Sequence, residues 1–161
     1  MAERVRQPER ARALNYNHRM PVVSITRLRV RKWRFMPGFA VYAVRSRSQA
    51  LKAEGNLGIR LMRAPGNVFW TATAWESEDA VKRFMLAQPH GEAMKRLMDW
   101  CDEASVAHWT VDDAALPSWS EADRRMRTQG RASKVYHPSP HHADLSYAEP
   151  RTSGAVPIRK A

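Results

Sequence analysis

The segment from Val68 to Trp109 constrains the fold more than any other part of this 161-residue sequence. It contains four of the six tryptophans, at positions 70, 75, 100 and 109. Its pattern predicts a strand, an acidic helix start, an amphipathic helix and a second strand. So large an aromatic surface needs a covered interior, and the segment therefore indicates an α+β domain with a pocket.

Over residues 22–111 the sequence pattern predicts the element order β-α-β-β-α-β. This is the ferredoxin-like arrangement, with a four-stranded antiparallel sheet. Strands are expected over residues 22–33, 58–63, 68–75 and 104–111, and a first helix over residues 39–53. Ser77 is a candidate helix N-cap, because the acidic Glu78 and Asp79 follow it at the positive end of the helix dipole. Pro89 predicts a break in the second helix, since the residue before a proline avoids helical geometry.

Composition and periodicity divide the chain into three parts. Residues 1–20 are expected to form a basic flexible arm, residues 21–112 the ferredoxin-like domain, and residues 113–161 a C-terminal extension. Within the extension one short helix is predicted, at about residues 118–128. Beyond it an irregular tail is expected, because its prolines and polar residues show no periodicity.

The two helices of this arrangement cover only one face of the sheet, yet its strands carry apolar side chains on both faces. Trp70 and Trp75 are separated by an odd number of residues, so in a regular strand they lie on opposite faces. Val106 and Trp109 differ in the same way. A second apolar face exposed to water usually marks an interface, and a C2 dimer of two sheets would bury it. A homodimer is therefore predicted, and coverage by the C-terminal segment is the alternative.

The net charge of +11 includes a run of cations without any acid over residues 27–52. Such a cluster attracts nucleic acid, anionic lipid or anionic ligands, although a solvated basic surface is the interpretation that we favour. No zinc-finger spacing, RNP-type strand or helix-turn-helix signature accompanies the charge, so specific nucleic-acid binding is not predicted. No apolar run approaches the ~20 residues of a membrane span, and the N-terminus lacks a secretory h-region. A cytoplasmic protein is expected.

Residues 75–80, with the sequence WESEDA, and the element Gln88-Pro89-His90 give the chain a family likeness. They resemble the antibiotic-biosynthesis-monooxygenase-like domains of the dimeric α+β barrel superfamily, with a fainter likeness to spheroidene-monooxygenase-type proteins. The resemblance covers roughly residues 22–111, and Phe84 stands where many relatives place a histidine. It implies a dimeric barrel. Since the superfamily includes cofactor-free oxygenases, haem-degrading enzymes and non-catalytic members, it implies either an enzyme or a binding protein.

Two histidines and three tryptophans are the main candidate site residues. His108, beside Trp109 on the last strand, can exchange a proton near neutral pH, or it can be a hydrogen-bonded histidine at the edge of the core. His90 stands where the second helix is expected to break, and it is a candidate for proton transfer, haem ligation or helix capping. Trp70, Trp75 and Trp109 would line an aromatic cavity for a flat hydrophobic ligand, or pack as ordinary core.

Other polar residues have narrower interpretations. Arg60, on the second strand, is expected to hold an anionic group of the substrate. Cys101 falls on the apolar stripe of the second helix and is expected to be a buried, inert thiol. Asp99, Asp102 and Glu103 form an acidic cluster at the unfavourable end of that helix, where basic residues of the first strand or helix would hold them. The histidines of the HPSPHH segment lack a rigid frame, so no metal site is predicted.

Together these features predict a small monooxygenase-like oxidoreductase that acts on a hydrophobic aromatic or polyene molecule in a Trp-lined pocket between sheet and helices. His108 and His90 would handle protons, and no cofactor is predicted. A non-catalytic ligand-binding protein of the same fold, or a haem-binding protein that uses His90, is the alternative.

Overall fold

Each strand of the sheet runs antiparallel to its neighbours, in the order β2-β3-β1-β4-β5. The computed structural model describes residues 20–150, so the basic arm expected over residues 1–20 lies outside the described residues apart from Met20. The strands are β1 (Val22–Val30), β2 (Asn56–Ala64), β3 (Val68–Trp75), β4 (Cys101–Thr110) and β5 (Arg131–Ala132). The helices are α1 (Met36–Lys52, after a 3₁₀ turn at Trp33–Phe35), α2 (Glu78–Leu86), α3 (His90–Trp100) and α4 (Trp119–Gln129). The first four strands and α1–α3 form the predicted ferredoxin-like arrangement, and β5 adds a fifth strand.

Local signals account for most of the helix boundaries. The hydroxyl of Ser77 accepts the backbone N–H of Ala80 at 3.3 Å and caps α2 as predicted. Pro89 separates α2 from α3, also as predicted. Pro37 lies in the first turn of α1, where a proline is tolerated because that turn has no acceptor for its N–H.

The boundary between α3 and β4 differs from the prediction. β4 begins at Cys101, so this residue lies on a strand and not on a helical stripe. The neighbouring acids consequently lie beside β1. Four ion pairs join them to arginines: Arg27 with Glu103, Arg29 with both Asp102 and Glu103, and Arg31 with Asp99. Basic residues at the first strand therefore hold the acidic cluster, as expected.

The sheet face that packs against α1–α3, here named the helix face, has an apolar core in two pieces. One piece lies at the end of the sheet where β3 ends: Val22, Ala50, Ile59, Trp75, Ala80 and Val81. The other lies where β4 begins: Val30, Phe39 and Cys101. The sheet between these two clusters carries polar side chains, and this gap positions the candidate site.

The opposite face, here named the far face, is covered by the chain's own C-terminal extension. α4 contributes Trp119, Ala122 and Met126 to this cover, and the tail contributes Leu145 and Tyr147. They pack on buried residues of the sheet: Val23, Ile25, Met62, Ala64, Val68, Trp70, Ala72 and Ala107. The short helix predicted at about residues 118–128 is thus confirmed at Trp119–Gln129, and it supplies part of the second core.

This cover bears directly on the predicted homodimer. The prediction rested on a far face that a single chain would leave exposed, whereas α4 and the tail bury that face within one chain. The structure therefore has the arrangement that was the alternative, coverage by the C-terminal segment. The homodimer itself stays a prediction.

No helix within residues 20–150 has the length and apolarity needed to cross a bilayer.

The tail is attached to β4 through His142, which is 8% exposed. Its Nε2 lies 2.9 Å from the carbonyl oxygen of Ser133, and its Nδ1 accepts the amide of Ala104 at 3.4 Å. Ser139 donates its hydroxyl to Glu103 at 2.7 Å. Both ring nitrogens of His142 are thus engaged by the backbone, so this histidine of the HPSPHH segment serves to hold the tail.

We expect Trp119→Ala to lower the free energy of unfolding by about 3–5 kcal/mol, the usual cost of truncating a large buried aromatic side chain. Trp119 is 5% exposed within the far-face core. Trp33→Ala is the matched control, because Trp33 is 80% exposed and its truncation should change stability by less than about 0.5 kcal/mol. Urea denaturation followed by circular dichroism measures both variants. Equal losses would contradict the packing of α4 on the sheet.

Candidate functional site

A row of side chains that are only half-buried or exposed crosses all five strands on the helix face. The strand register places its members directly opposite one another: Leu61, Thr71, Thr26, Val106 and Arg131. The first four are half-buried and Arg131 is exposed, although β1, β3 and β4 each have a strand on both sides. The helices therefore leave a shallow opening over the middle of the sheet, here named the helix-face groove.

The adjoining row adds two more hydroxyl groups and a histidine. Thr73, Ser24 and His108 lie side by side on β3, β1 and β4. The Thr73 hydroxyl donates to the Ser24 carbonyl at 3.4 Å. With Thr26 and Thr71, four hydroxyl side chains lie on the adjacent strands β1 and β3, between the two apolar clusters of this face. Polar groups in such a place need hydrogen-bonding partners, so the floor of the groove suits a ligand with polar substituents.

His108 is the ionisable group of this floor. It is half-buried, and its Nε2 is shielded from solvent without a hydrogen-bond partner among residues 20–150. Burial lowers the pKa of His108, and the positive charge of Arg131 lowers it further, whereas Glu78 raises it. Because the pKa lies below its ordinary value of 6.5, the imidazole is neutral at pH 7. A neutral imidazole with an unpaired ring nitrogen can accept a proton from a bound molecule.

α1 carries unpaired polar atoms on its sheet-facing side. Phe39 and Ala50 of this helix belong to the two apolar clusters, and Ser46 lies between them on the same side of the helix. The Oγ of Ser46 and the Nε of Arg47 are buried without a hydrogen-bond partner in the described part of the chain. Such atoms are rare in folded proteins. They belong to the helix that packs over this face of the sheet.

His90 begins α3 and shares no hydrogen bond or ring contact with His108. Its ring packs on Phe84 with the centroids 4.4 Å apart, and Phe84 packs on Trp75 at 4.9 Å. Its Nδ1 lies 3.2 Å from the Met85 carbonyl, which assigns the proton to that nitrogen. Burial lowers the pKa of His90, and the hydrogen bond to Met85 opposes this effect. His90 thus lies at the end of an aromatic stack that reaches the sheet.

The structure divides the candidate tryptophans between the two faces of the sheet. Trp75 belongs to the helix-face core, whereas Trp70 lies in the far-face core with Trp109 packed against it. The odd spacing of Trp70 and Trp75 predicted this separation. The five aromatic candidates therefore do not form one pocket: His108 and Trp75 share the helix face, and His90 joins them through the aromatic stack.

Arg60 holds the C-terminal extension in place. Its pairing with Ala72 places it on the far face, where it donates to the Pro117 carbonyl at 2.8 Å. Its guanidinium lies over the ring of Trp119, 5.2 Å from the centroid. Arg60 consequently lies on the wrong face to bind a substrate in the groove. Arg131 is the cation beside His108.

The hydroxyl floor and Arg131 were not among the predicted site residues. A signal for the floor exists in the sequence, because Ser24 and Thr26 share the parity of the apolar Val22 and Leu28 on β1. Polar residues in the middle of a strand face that helices should cover indicate a site. Arg131 gave no such signal, since β5 has only two residues and no alternation can reveal it.

Cys101 does not contribute chemistry to this site. It is buried, and burial together with the nearby charge of Asp102 raises the pKa of its thiol to about 12. The thiol is therefore inert, as predicted. Within residues 20–150, no group of three or more His, Cys, Asp or Glu side chains is placed to hold a metal ion.

Solved structures with this arrangement define the class of the fold. A protein from Caulobacter crescentus described as a "putative antibiotic biosynthesis monooxygenase" has a TM-score of 0.53 at 13% identity, over 63% of this chain and 99% of that chain. One from Nitrosomonas europaea with the same description has a TM-score of 0.51 at 14% identity, over 57% and 90%. Rv0793 from Mycobacterium tuberculosis has a TM-score of 0.53 at 12% identity, over 59% and 99%. The chain has the fold of antibiotic-biosynthesis-monooxygenase-like domains, as the resemblance predicted.

The family assignment is more specific than the fold. Residues 33–137 match the family described as a domain of unknown function, DUF3291. Because the match spans well over half of the chain, the chain belongs to this family. No curated protein matched the chain.

We expect Arg131→Gln to raise the pKa of His108 toward its ordinary value, because the substitution removes a positive charge that disfavours the imidazolium. The titration of the His108 ring protons by NMR measures this shift. Arg124→Gln is the control, since Arg124 lies on α4 with Glu121 as its partner, and it should leave the titration of His108 unchanged. An unchanged pKa in Arg131→Gln would contradict the placement of Arg131 beside His108.

Proposed function

We propose that this protein is a small monooxygenase-like oxidoreductase that binds an aromatic or polyene molecule in the helix-face groove. The observation that carries the proposal is His108, a neutral base with an unpaired Nε2 in a floor of hydroxyl groups. The fold shared with proteins described as antibiotic biosynthesis monooxygenases supports the reaction class.

The groove suits a flat substrate that has both apolar and polar parts. Leu61 and Val106 lie at its two sides and offer apolar contact. Thr26 and Thr71 lie between them and offer hydroxyl groups to phenol or carbonyl oxygens of the substrate. An apolar site with a few polar groups is the usual composition of a small-molecule pocket.

The reaction begins with proton removal. In our scheme, the half-buried imidazole of His108 takes a proton from a phenolic or otherwise activated substrate, and Arg131 stabilises the anion that forms. The electron-rich anion then reacts with dioxygen, which is the oxidant and second substrate. A CH₂ group becomes a carbonyl group that keeps one oxygen atom, and the other oxygen atom leaves as water with the two hydrogens of that group. His108 returns the proton that it took, so the base is regenerated. The scheme requires no bound cofactor.

In this scheme His90 has a different role from His108. Its ring contacts Phe84, which contacts Trp75. We assign His90 to positioning this aromatic stack at the end of the groove. The other predicted substrate residues, Trp70, Trp109 and Arg60, lie on the far face and have no part in the scheme.

We expect His108→Asn to lower kcat/KM for oxidation of a phenolic anthrone by about 100-fold to 10,000-fold, the usual contribution of a general base. An oxygen electrode measures the rate. His137→Asn is the control, because His137 is exposed, and it should retain the activity of the unmodified protein. Equal activity of the two variants would contradict the role of His108.

The pH dependence of the same reaction should follow the ionisation of His108. Since a base acts only when it is unprotonated, the rate should rise with pH to a plateau, with its midpoint below the ordinary histidine pKa of 6.5. In Arg131→Gln the midpoint should move to higher pH. A rate that falls as the pH rises from about 5 to about 8 would indicate that a protonated group acts instead.

The colour, ligand binding and oxygen uptake of the purified protein distinguish the proposed function from its alternatives. A coloured protein with a Soret band that is lost in His90→Ala would assign haem binding. Saturable binding of an aromatic molecule without oxygen uptake would assign a ligand-binding or accessory role. A colourless protein that consumes oxygen with the anthrone supports the proposal.

The homodimer and the cytoplasmic location remain proposals. Because α4 and the tail bury the far face, a dimer needs another surface. The outer side of α1 is the candidate, since Val41 and Val44 are 54% and 65% exposed there. Light scattering coupled to gel filtration tests this proposal, because one chain has a mass of 18.5 kDa.

A further inference from the structure

Two aromatic side chains are exposed at the end of the sheet where β1 ends and β4 begins. Trp33 is 80% exposed and Tyr136 is 55% exposed. Trp33 lies in the 3₁₀ turn that follows β1, and the amide of Tyr136 donates to the Met98 carbonyl near the end of α3. Neither ring has a place in the cores of the two sheet faces.

Shared contacts with Asp99 bring the two aromatic residues to the same part of the surface. Arg31 and His137 both approach the Asp99 carboxylate, at 2.9 Å and 3.5 Å. Trp33 is two residues after Arg31, and Tyr136 is the residue before His137. The two exposed rings therefore extend from neighbouring segments of the chain, and adjacent exposed apolar groups of this kind mark an interaction surface.

The cations beside these rings have no acidic partner. Lys32, Arg34 and Lys134 are exposed and form no ion pair within residues 20–150. Asp99 and Asp102, which also lie at this end, are each paired with an arginine. Three positive charges therefore remain to attract an anionic partner.

Backbone hydrogen bonds and ring packing hold the turn that carries Trp33. The Phe35 amide donates to the Lys32 carbonyl at 3.1 Å, and the Arg31 amide donates to the Trp100 carbonyl at 2.9 Å. The ring of Phe35 stacks on that of Trp100 with the centroids 6.4 Å apart. Because the backbone below the exposed indole is anchored to the end of α3, binding through Trp33 orders little more of the chain.

An anionic lipid bilayer fits this combination better than a nucleic acid does. Tryptophan and tyrosine rings are amphipathic and lie at the headgroup level of a membrane, where lysine and arginine are attracted to anionic lipids. A single-stranded nucleic acid instead needs open ring faces on which successive bases stack. Lys134 lies over the ring of Tyr136, 5.7 Å from its centroid, and thus occupies one of those faces.

We propose that this surface binds an anionic lipid bilayer from one side, without crossing it. It is here named the Trp33 surface and consists of Lys32, Trp33, Arg34, Lys134 and Tyr136. The two aromatic rings enter the headgroup region, and the three cations meet the lipid phosphates. Because Ser24 and His108 lie toward the other end of β1, the Trp33 surface does not depend on the oxygenase proposal.

Sedimentation of the full chain with lipid vesicles tests the class of partner. The protein should bind vesicles made of equal parts of phosphatidylglycerol and phosphatidylcholine. Binding to vesicles of phosphatidylcholine alone should be at least about tenfold weaker, since each lysine or arginine near an anionic surface contributes about 1 kcal/mol. Absence of binding to the mixed vesicles, or equal binding to both kinds, would overturn the proposal.

Two arginine variants separate this surface from the general attraction of a chain with a net charge of +11. Arg34→Gln should weaken binding to the mixed vesicles by about fivefold. Arg83→Gln is the matched control, because Arg83 is also exposed and has no ion pair in the described part of the chain, but it lies on α2 at the other end of the helix face. It should change binding by less than about twofold, since charges far from the membrane are screened. Equal losses in the two variants would show that position does not matter and would overturn the proposal.

Fluorescence tests whether Trp33 enters the bilayer. All six tryptophans lie within residues 20–150, and Trp33 is the only one of them that is exposed there. Mixed vesicles with brominated acyl chains should therefore quench the emission of the unmodified protein, and Trp33→Ala should remove this quenching. Leu86→Ala is the control, because Leu86 is 82% exposed at the end of α2, and it should keep the quenching. Quenching that persists in Trp33→Ala, or that is lost in Leu86→Ala, would overturn the proposal.

A single-stranded oligouridylate tests the other class of partner, with its binding measured by fluorescence anisotropy. Trp33→Ala should weaken binding to the mixed vesicles by at least about fivefold, because it removes a large apolar side chain from the contact. The same variant should leave binding of the oligouridylate unchanged. The reverse result, a loss of oligouridylate binding with unchanged vesicle binding, would assign the surface to nucleic acid and overturn the proposal.

Discussion

The packing of α4 and the tail on the far face is the constraint on which the rest of the structure depends. Burial of one large apolar side chain contributes about 1.5–3 kcal/mol, and the extension brings Trp119, Met126 and Tyr147 to this face. Because the far face is covered, the sheet can tolerate polar groups on the helix face. The hydroxyl floor near His108 is such a set of polar groups, and it interrupts the apolar core between the two helix-face clusters.

The pairing of β1 with β4 links the ion pairs to the candidate site. Arg27 and Glu103 are both buried and joined directly. A buried ion pair adds little net stability, but either partner left alone would be a costly buried charge, so the pair disfavours other registers. The observed register places Ser24 opposite His108. The charges at one end of these strands therefore support the position of the base at the other end.

The alternation of apolar and polar residues, together with single capping and helix-breaking residues, predicted the helices and strands better than it predicted the candidate site. β3 has the predicted bounds, and the parity of Trp70 and Trp75 was correct, because both depend only on the strand period. Cys101 was placed on a helix because a short apolar run fits a helical stripe and a strand equally well. The alternation along β1 held a signal for the hydroxyl floor, but the opening above the floor could not be predicted, because it lies where the helices leave the sheet only partly covered. That gap depends on tertiary packing and not on any local pattern.

His142 has a consequence for how these molecules behave when they are concentrated. An exposed strand edge is a template for pairing with another chain, and β4 would offer one beyond the short β5. The amide of Ala104 donates to the imidazole, and the Ala104 carbonyl accepts the Ser133 amide at 2.8 Å. The Asp102 carbonyl accepts the Ser139 amide at 2.9 Å. The imidazole of His142 thus accepts a hydrogen bond that a backbone carbonyl of another strand would otherwise accept. This part of the β4 edge is therefore protected against edge-to-edge aggregation.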